Sequence, residues 1–205
     1  MSSPESFAQP HSQADIIPQD ISPEALLEIL VKAGLPLNEY GKGAAKTVHD
    51  LFNEVREGES VMSVNDRHEI SRHVNVLWLD VFCHLADGRT FVLKEDRQEF
   101  KDERMKRRPL DSSLGEKIKP GESPEVAAER ALNEELGVSE YIGMYALETT
   151  QDSFVPDTFP GLKSDYTMHK YVAVLPEEVF VPEGYVEYQE TKTNYYVWEE
   201  VPRRN

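Results

Sequence analysis

The stretch from Gly115 to Val138 constrains this chain more than any other. It reads Gly-Glu-Lys-Ile-Lys-Pro-Gly-Glu-Ser-Pro-Glu-Val-Ala-Ala-Glu-Arg-Ala-Leu-Asn-Glu-Glu-Leu-Gly-Val. Ser123 can cap a helix, Pro124 suits its first position, and Glu125 places negative charge in the first turn. The spacing predicts a helix from Pro124 to Leu136, ended by Gly137 as the C′ residue. Residues three and four apart share a helix face. Ala128, Leu132 and Leu136 therefore form an apolar stripe that must meet a core, and Ala127, Ala131, Glu134 and Glu135 form a stripe beside it. Adjacent carboxylates on a helix that also buries a face are costly unless a cation neutralises them. Mg2+ takes oxygen ligands and keeps several waters, so a few carboxylates and a phosphate suffice to hold it.

At fixed spacing, Glu122, Arg130, Leu132, Glu134, Glu135, Gly137 and Val138 resemble the Nudix box. Its pattern is G-x5-E-x7-R-E-U-x-E-E-x-G-U, with U a bulky apolar residue. Two positions depart from it. The first glycine falls on Glu116, with Gly115 just before it, and the glutamate after the arginine is Ala131. The resemblance implies a Nudix-type α/β/α sandwich with a mixed sheet. It also implies a divalent-metal-dependent hydrolase of a diphosphate linked to another moiety, with Mg2+ or Mn2+ as cofactor. Glu134 and Glu135 are then the metal ligands, and Glu122 and Arg130 join them as catalytic residues by bracing loop on helix through a salt bridge.

Ala131 opens a competing class. The family has a glutamate there that ligates metal or orders the attacking water, and a methyl group does neither. Because Glu134 and Glu135 are its i+3 and i+4 neighbours, the carboxylate is missing from the metal-facing stripe itself. Glu129 lies well round the helix. The alternative is thus a catalytically lapsed Nudix-like binding or scaffold protein. An isopentenyl-diphosphate-isomerase-like reading draws on Arg130, Leu132, Glu135, Leu136 and Gly137, but the Cys-containing motif that those enzymes need just before the helix region is absent here.

Composition narrows the partners. The formal charge of −16 argues against nucleic-acid backbone binding and against anionic membrane surfaces. It does not exclude a small phosphorylated substrate, since a metal reverses the sign locally. The single cysteine, Cys83, makes no internal disulfide, which fits a reducing compartment or simple indifference to redox state. With no long apolar run and no signal pattern at the Met1 end, the expectation is an intracellular, cytoplasmic protein. The Nudix resemblance adds a homodimer as an expected assembly.

Three segments are expected. Residues 1–21, rich in Ser, Pro, Gln and Asp, read as a disordered tail. Residues 22–60 read as a helical extension packed on the main domain, with helices from Ser22 to Ala33 and from Ala44 to Glu57. Residues 70–203 read as the Nudix domain. Strand patterns fall at His73–Leu85, Thr90–Lys94, Tyr141–Thr149, Tyr166–Leu175 and Asn194–Val201, with Leu114–Lys119 a strand or loop, Ala86–Arg89 a turn and Gln151–Ser164 a long loop.

Substrate contacts are expected on loops. Arg97, Lys101, Arg104, Lys106, Arg107 and Arg108 form the basic cluster of this acidic chain, and Lys117 and Lys119 flank the box at alternate positions. Lys117, Lys119 and Arg97 are the substrate-binding candidates; a solvated loop paired with its own Asp102 and Glu103 is the favoured account of any one cluster residue, and a solvent face accounts for the two lysines equally well. Phe154, Phe159, Tyr166 and Tyr185 could stack on a base, although aromatics are more often core. Asp152, Asp157, Asp165, Glu187 and Glu190 are candidates for a third metal ligand, and no spacing selects one. Gly41–Thr47 lacks the glycine a P-loop needs before its lysine, and His68 and His73 are one residue too far apart for a zincin pair.

Overall fold

The computed structural model describes residues 14–107 and 112–202. Its contacts divide the chain into two compact units. One comprises Met1–His73 with Ser153–Asp165, the other Val74–Asp152 with Tyr166–Asn205. This partition departs from the linear one expected from sequence, because a late segment joins the N-terminal residues. Among the described residues no helix is long and apolar enough to cross a membrane.

The first unit holds β1 (Asp15–Ile16), α1 (Pro23–Lys32), α2 (Val48–Arg56), β2 (Val61–Val64) and the opening residues of β3 (Ile70–His84). The Ser22 hydroxyl accepts from the Ala25 N–H at 3.1 Å and starts α1. Thr47 and Asp50 form a reciprocal capping box, which begins α2 at Val48 rather than at Ala44. Leu26, Leu30, Leu51, Val55, Met62 and Ile70 build a core that also takes Phe159 and Leu162. Phe159 is therefore packing, not a stacking platform. Beside it Arg72 donates to Glu54 at 2.5 Å, and Lys46 reaches the other oxygen of Glu54 at 2.7 Å. Residues 15–16, expected within a disordered tail, pair antiparallel with β2, and Ile17 is buried. Residues 1–13 of that expected tail lie outside the described residues.

The second unit contains the rest of β3, then β4 (Thr90–Phe100), β5 (Met105–Lys106), β6 (Leu114–Lys117), α3 (Pro124–Leu136), β7 (Gly143–Phe154), β8 (Lys163–Leu175), β9 (Tyr185–Tyr188) and β10 (Lys192–Glu200). The final residues of β7 and the first of β8 belong to the first unit. The mixed α/β class expected from sequence is the class observed. β3 runs antiparallel to β4 and to β6, and β10 lies antiparallel between β4 and β9. Residues two apart on β3 share a face, which buries Leu77, Leu79, Val81 and Cys83 together. Leu77, Leu79 and Val81 meet Ala127, Ala128, Ala131, Leu132 and Leu136 of α3 in one core.

Two strands outrun their sequence expectation. β4 continues past Lys94 to Phe100, because β10 supplies partners as far as Lys192↔Phe100. The ladder contains a bulge: Tyr195 faces Arg97, the next residue, Tyr196, faces Glu95, and Asp96 is the extra residue. β7 likewise extends through residues 151–154, which read as loop in the sequence.

Candidate functional site

α3 places the site. The Ser123 hydroxyl caps it, Pro124 opens it, and Gly137 closes it in the left-handed conformation at φ 67°. The helix buries Ala127, Ala128, Ala131, Leu132, Glu135 and Leu136. The stripe beside the leucines is thus also buried, apart from Glu134, whose side chain is about half exposed. Ala131 has no exposed surface and sits within the apolar core.

Arg130 organises the polar edge of the helix. Its Nε donates to Glu122 Oε1 at 2.9 Å and its Nη2 to Glu122 Oε2 at 3.1 Å. Nη2 also reaches the Lys117 carbonyl at 2.9 Å. Nη1 donates to Glu116 Oε2 at 3.0 Å and to Glu134 Oε2 at 3.1 Å. Glu122 in turn accepts from the Lys119 N–H at 2.8 Å, tying the preceding loop to the helix. The Arg130 hydrogen bonds hold the Glu122 carboxyl below its usual range, whereas burial raises that of Glu116. The guanidinium itself is held firmly protonated by Glu122.

Glu135 points the other way. Tyr196 of β10 donates its hydroxyl to Glu135 Oε2, while Oε1 is buried without a hydrogen-bond partner. Burial pushes the Glu135 carboxyl up to about 8; the Tyr196 hydrogen bond lowers it, and Glu116 and Glu187 raise it. The Tyr196 hydroxyl is raised well above the ordinary phenol range, first by burial and then by the Glu135 charge. Around Glu135 lies a polar cavity of about 50 Å³, walled in part by Glu95, Gln98, Glu116, Lys192, Asn194 and Tyr196.

The other expected residues are placed as follows. Lys117 ends β6 and gives its carbonyl to Arg130. The Lys119 ammonium lies 3.9 Å from Glu134. Arg97 is held at 2.7 Å by both Asp96 and Glu99 and stacks over Tyr195 at 3.8 Å. Arg104 pairs with Asp102, and Arg107 with Asp96. Arg97, Arg104 and Arg107 are thus paired with acids of the same segment, and Arg108 lies outside the described residues. Of the proposed third ligands, Glu187 interacts electrostatically with Glu135, while Asp165 pairs with Lys163 and His73 in the first unit. Tyr185 is buried, its hydroxyl donating to the Val179 carbonyl at 2.5 Å. Sequence reasoning did not single out Asn194 or Tyr196 as site residues. Their signal was the alternation of β10, which puts positions 194 and 196 on one face.

Among the described residues no three Asp, Glu, His or Cys side chains gather as a ready-made metal cluster. The residues present nonetheless suit a hard divalent cation. The buried Glu135 Oε1 has no hydrogen-bond partner, and beside the Lys192 ammonium its neighbours in the wall include the oxygens of Glu95, Gln98, Glu116 and Asn194.

The family model for the NUDIX domain matches residues 77–200. A search of curated proteins finds no match. Among solved structures, a MutT/nudix family protein from Enterococcus faecalis aligns with a TM-score of 0.43 at 18% identity, covering 64% of this chain and 45% of that one. This chain therefore spans less than half the length of that protein. A C. elegans Ap4A hydrolase binary complex aligns with a TM-score of 0.36 at 16% identity, over 61% of this chain and 78% of that chain. The T. brucei MERS1–RNA complex aligns with a TM-score of 0.37 at 14% identity, over 78% and 59%.

Proposed function

The chain belongs to the Nudix family, and from that premise we propose that it is a divalent-metal-dependent hydrolase of a diphosphate linked to another moiety. The observation that carries the reading is the pairing of an intact Arg130–Glu122 brace with a buried Glu135 oxygen that has no partner. Glu135, with Glu134 one residue away on the rim, would hold Mg2+ or Mn2+. The chemistry such a cation supplies is charge neutralisation at the phosphoryl oxygens and acidification of water. Arg130 ties Lys117 at the end of β6, and the loop bearing Lys119 and Glu122, against α3, so this edge keeps one geometry as substrate arrives. Lys119, already near Glu134, is placed to meet an anionic group at the exposed rim. In the net reaction water attacks one phosphorus, the bridging P–O bond breaks, and the proton from water leaves with a base not identified among these residues.

A lapsed binding or scaffold role is the second reading. It draws on Ala131, which is fully packed in the core and offers no carboxylate. Phosphate release from nucleotide, sugar, dinucleotide and prenyl diphosphates with Mg2+ or Mn2+ separates the two. The hydrolase reading expects metal-dependent turnover that Glu135→Gln lowers roughly 100-fold or more. Absence of turnover across that panel favours the lapsed role.

A further inference from the structure

We propose that the small cavity between β6, α3 and β10 binds one divalent cation, with Glu116 supplying the carboxylate that Ala131 cannot and Asn194 supplying a neutral oxygen. The inference deepens the hydrolase reading and rests on it for the class of ion. It starts from the chain's two departures from the Nudix pattern, a carboxylate gained at 116 and one missing at 131. They fall on neighbouring elements. β6 carries Glu116 into the cavity wall, and α3 carries Glu135 into the same wall one turn beyond Ala131.

Two buried acceptors on this wall lack a donor. Glu135 is 8% exposed and Asn194 is 3% exposed, and both Glu135 Oε1 and Asn194 Oδ1 are without a hydrogen-bond partner. A buried acceptor left unmatched is destabilising, so each calls for a partner. The orientation of the Asn194 amide is not arbitrary. Its Nδ2 donates to Glu187 Oε2 at 2.5 Å, and a flip would set the amide oxygen against that carboxylate. The carbonyl oxygen is therefore the atom left for the cavity. A volume of about 50 Å³ accommodates a cation with one water. A water alone could satisfy both acceptors but would leave the charge unbalanced. Glu95, Glu116 and Glu135 line the wall against the Lys192 ammonium, and the Arg130 guanidinium that reaches Glu116 is shared with Glu122 and Glu134. Hard oxygen donors of this kind select Mg2+ or Mn2+ over thiophilic metals.

The test is Mn2+ titration of the metal-free full chain, followed by electron paramagnetic resonance and calorimetry, with diphosphate turnover measured in parallel. One Mn2+ per chain is expected. Glu116→Gln, which still accepts from Arg130, and Asn194→Ala should each weaken binding at least tenfold, while Glu129→Gln leaves it unchanged. Near-UV circular dichroism confirms folding. Asn194→Ser, which keeps a donor for Glu187, replaces the alanine variant if that one unfolds. Mn2+ affinity unaltered by Glu116→Gln and by the Asn194 variant overturns the inference. So does the absence of binding at millimolar Mn2+, which would leave the cavity to water or to Lys192. Metal-dependent turnover indifferent to Glu116 would keep the hydrolase reading and remove this one. Mn2+ bound through Glu116 without turnover on any diphosphate would do the reverse.

Discussion

Arg130 has a side chain only 14% exposed, yet its guanidinium meets three carboxylates and a carbonyl. Removing it leaves partly buried glutamates facing one another without a counter-charge. Arg130→Ala should therefore destabilise the fold by about 3 kcal/mol in urea unfolding. Arg130→Lys should recover only part of that, because a point charge cannot serve Glu122 with two parallel N–H groups. Ala131 makes the opposite case. A glutamate there would enter a site with no exposed surface, so Ala131→Glu alone should cost about 2 kcal/mol or more, read as a lowered melting temperature, even though it restores the family residue.

Glu135 adds a pH dependence whose sign follows from its burial. In the unfolded chain it titrates near 4.5, and in the folded, metal-free chain at about 8. Below pH 4.5 both states hold the proton, and the contribution is complete. As pH rises from there through 8, the unfolded state has released a proton that the folded state keeps, so stability falls. Glu116, also raised by burial, acts in the same sense. Glu122, lowered by Arg130, acts oppositely, but its contribution is lost only at more acidic pH. The metal-free protein should thus be less stable at pH 8 than at pH 6, by at most about 2–3 kcal/mol. Glu135→Gln should remove most of that difference in paired denaturation curves.

Among the elements, α3 was the most legible, because its limits are local chemistry: Ser123 and Pro124 at one end, a left-handed Gly137 at the other. β4 was read short, because Glu95 to Glu99 are charged and only the distant β10 makes them a strand. The polar side of the site was hidden for the same reason. That Tyr196 meets Glu135, and Asn194 meets Glu187, depends on pairings between separate elements. Gly184 shows how tightly β10 is seated. At φ 85°, an added Cβ there would come within 1.8 Å of the Tyr196 carbonyl oxygen, a backbone atom that cannot swing away. Gly184→Ala should cost about 3 kcal/mol or more in thermal unfolding and lower Mn2+ affinity through displaced Tyr196.

On the scale of the whole molecule, the charge of −16 was readable at once, but the division into units was not. Phe159 and Leu162 sit in a segment rich in loop-forming residues. Their place in the first unit's core depends on contacts with residues far earlier in the chain. The net charge has a measurable consequence of its own. Self-repulsion destabilises a compact anionic chain, so raising NaCl from low to physiological concentration should raise the melting temperature of the metal-free protein. Divalent titrations need that salt background to separate a bound ion from a diffuse counterion cloud.

The bulge at Asp96 carries a last consequence, one of parity. In an unbroken strand, residues three apart face opposite ways, yet Glu95 and Gln98 both line the cavity. The extra residue resets the count between them, so the two halves of β4 obey different odd–even rules. Threading this strand without a one-residue gap onto an unbulged strand would mistake outward positions for inward ones beyond Asp96 and set the wrong side chain in the cavity wall.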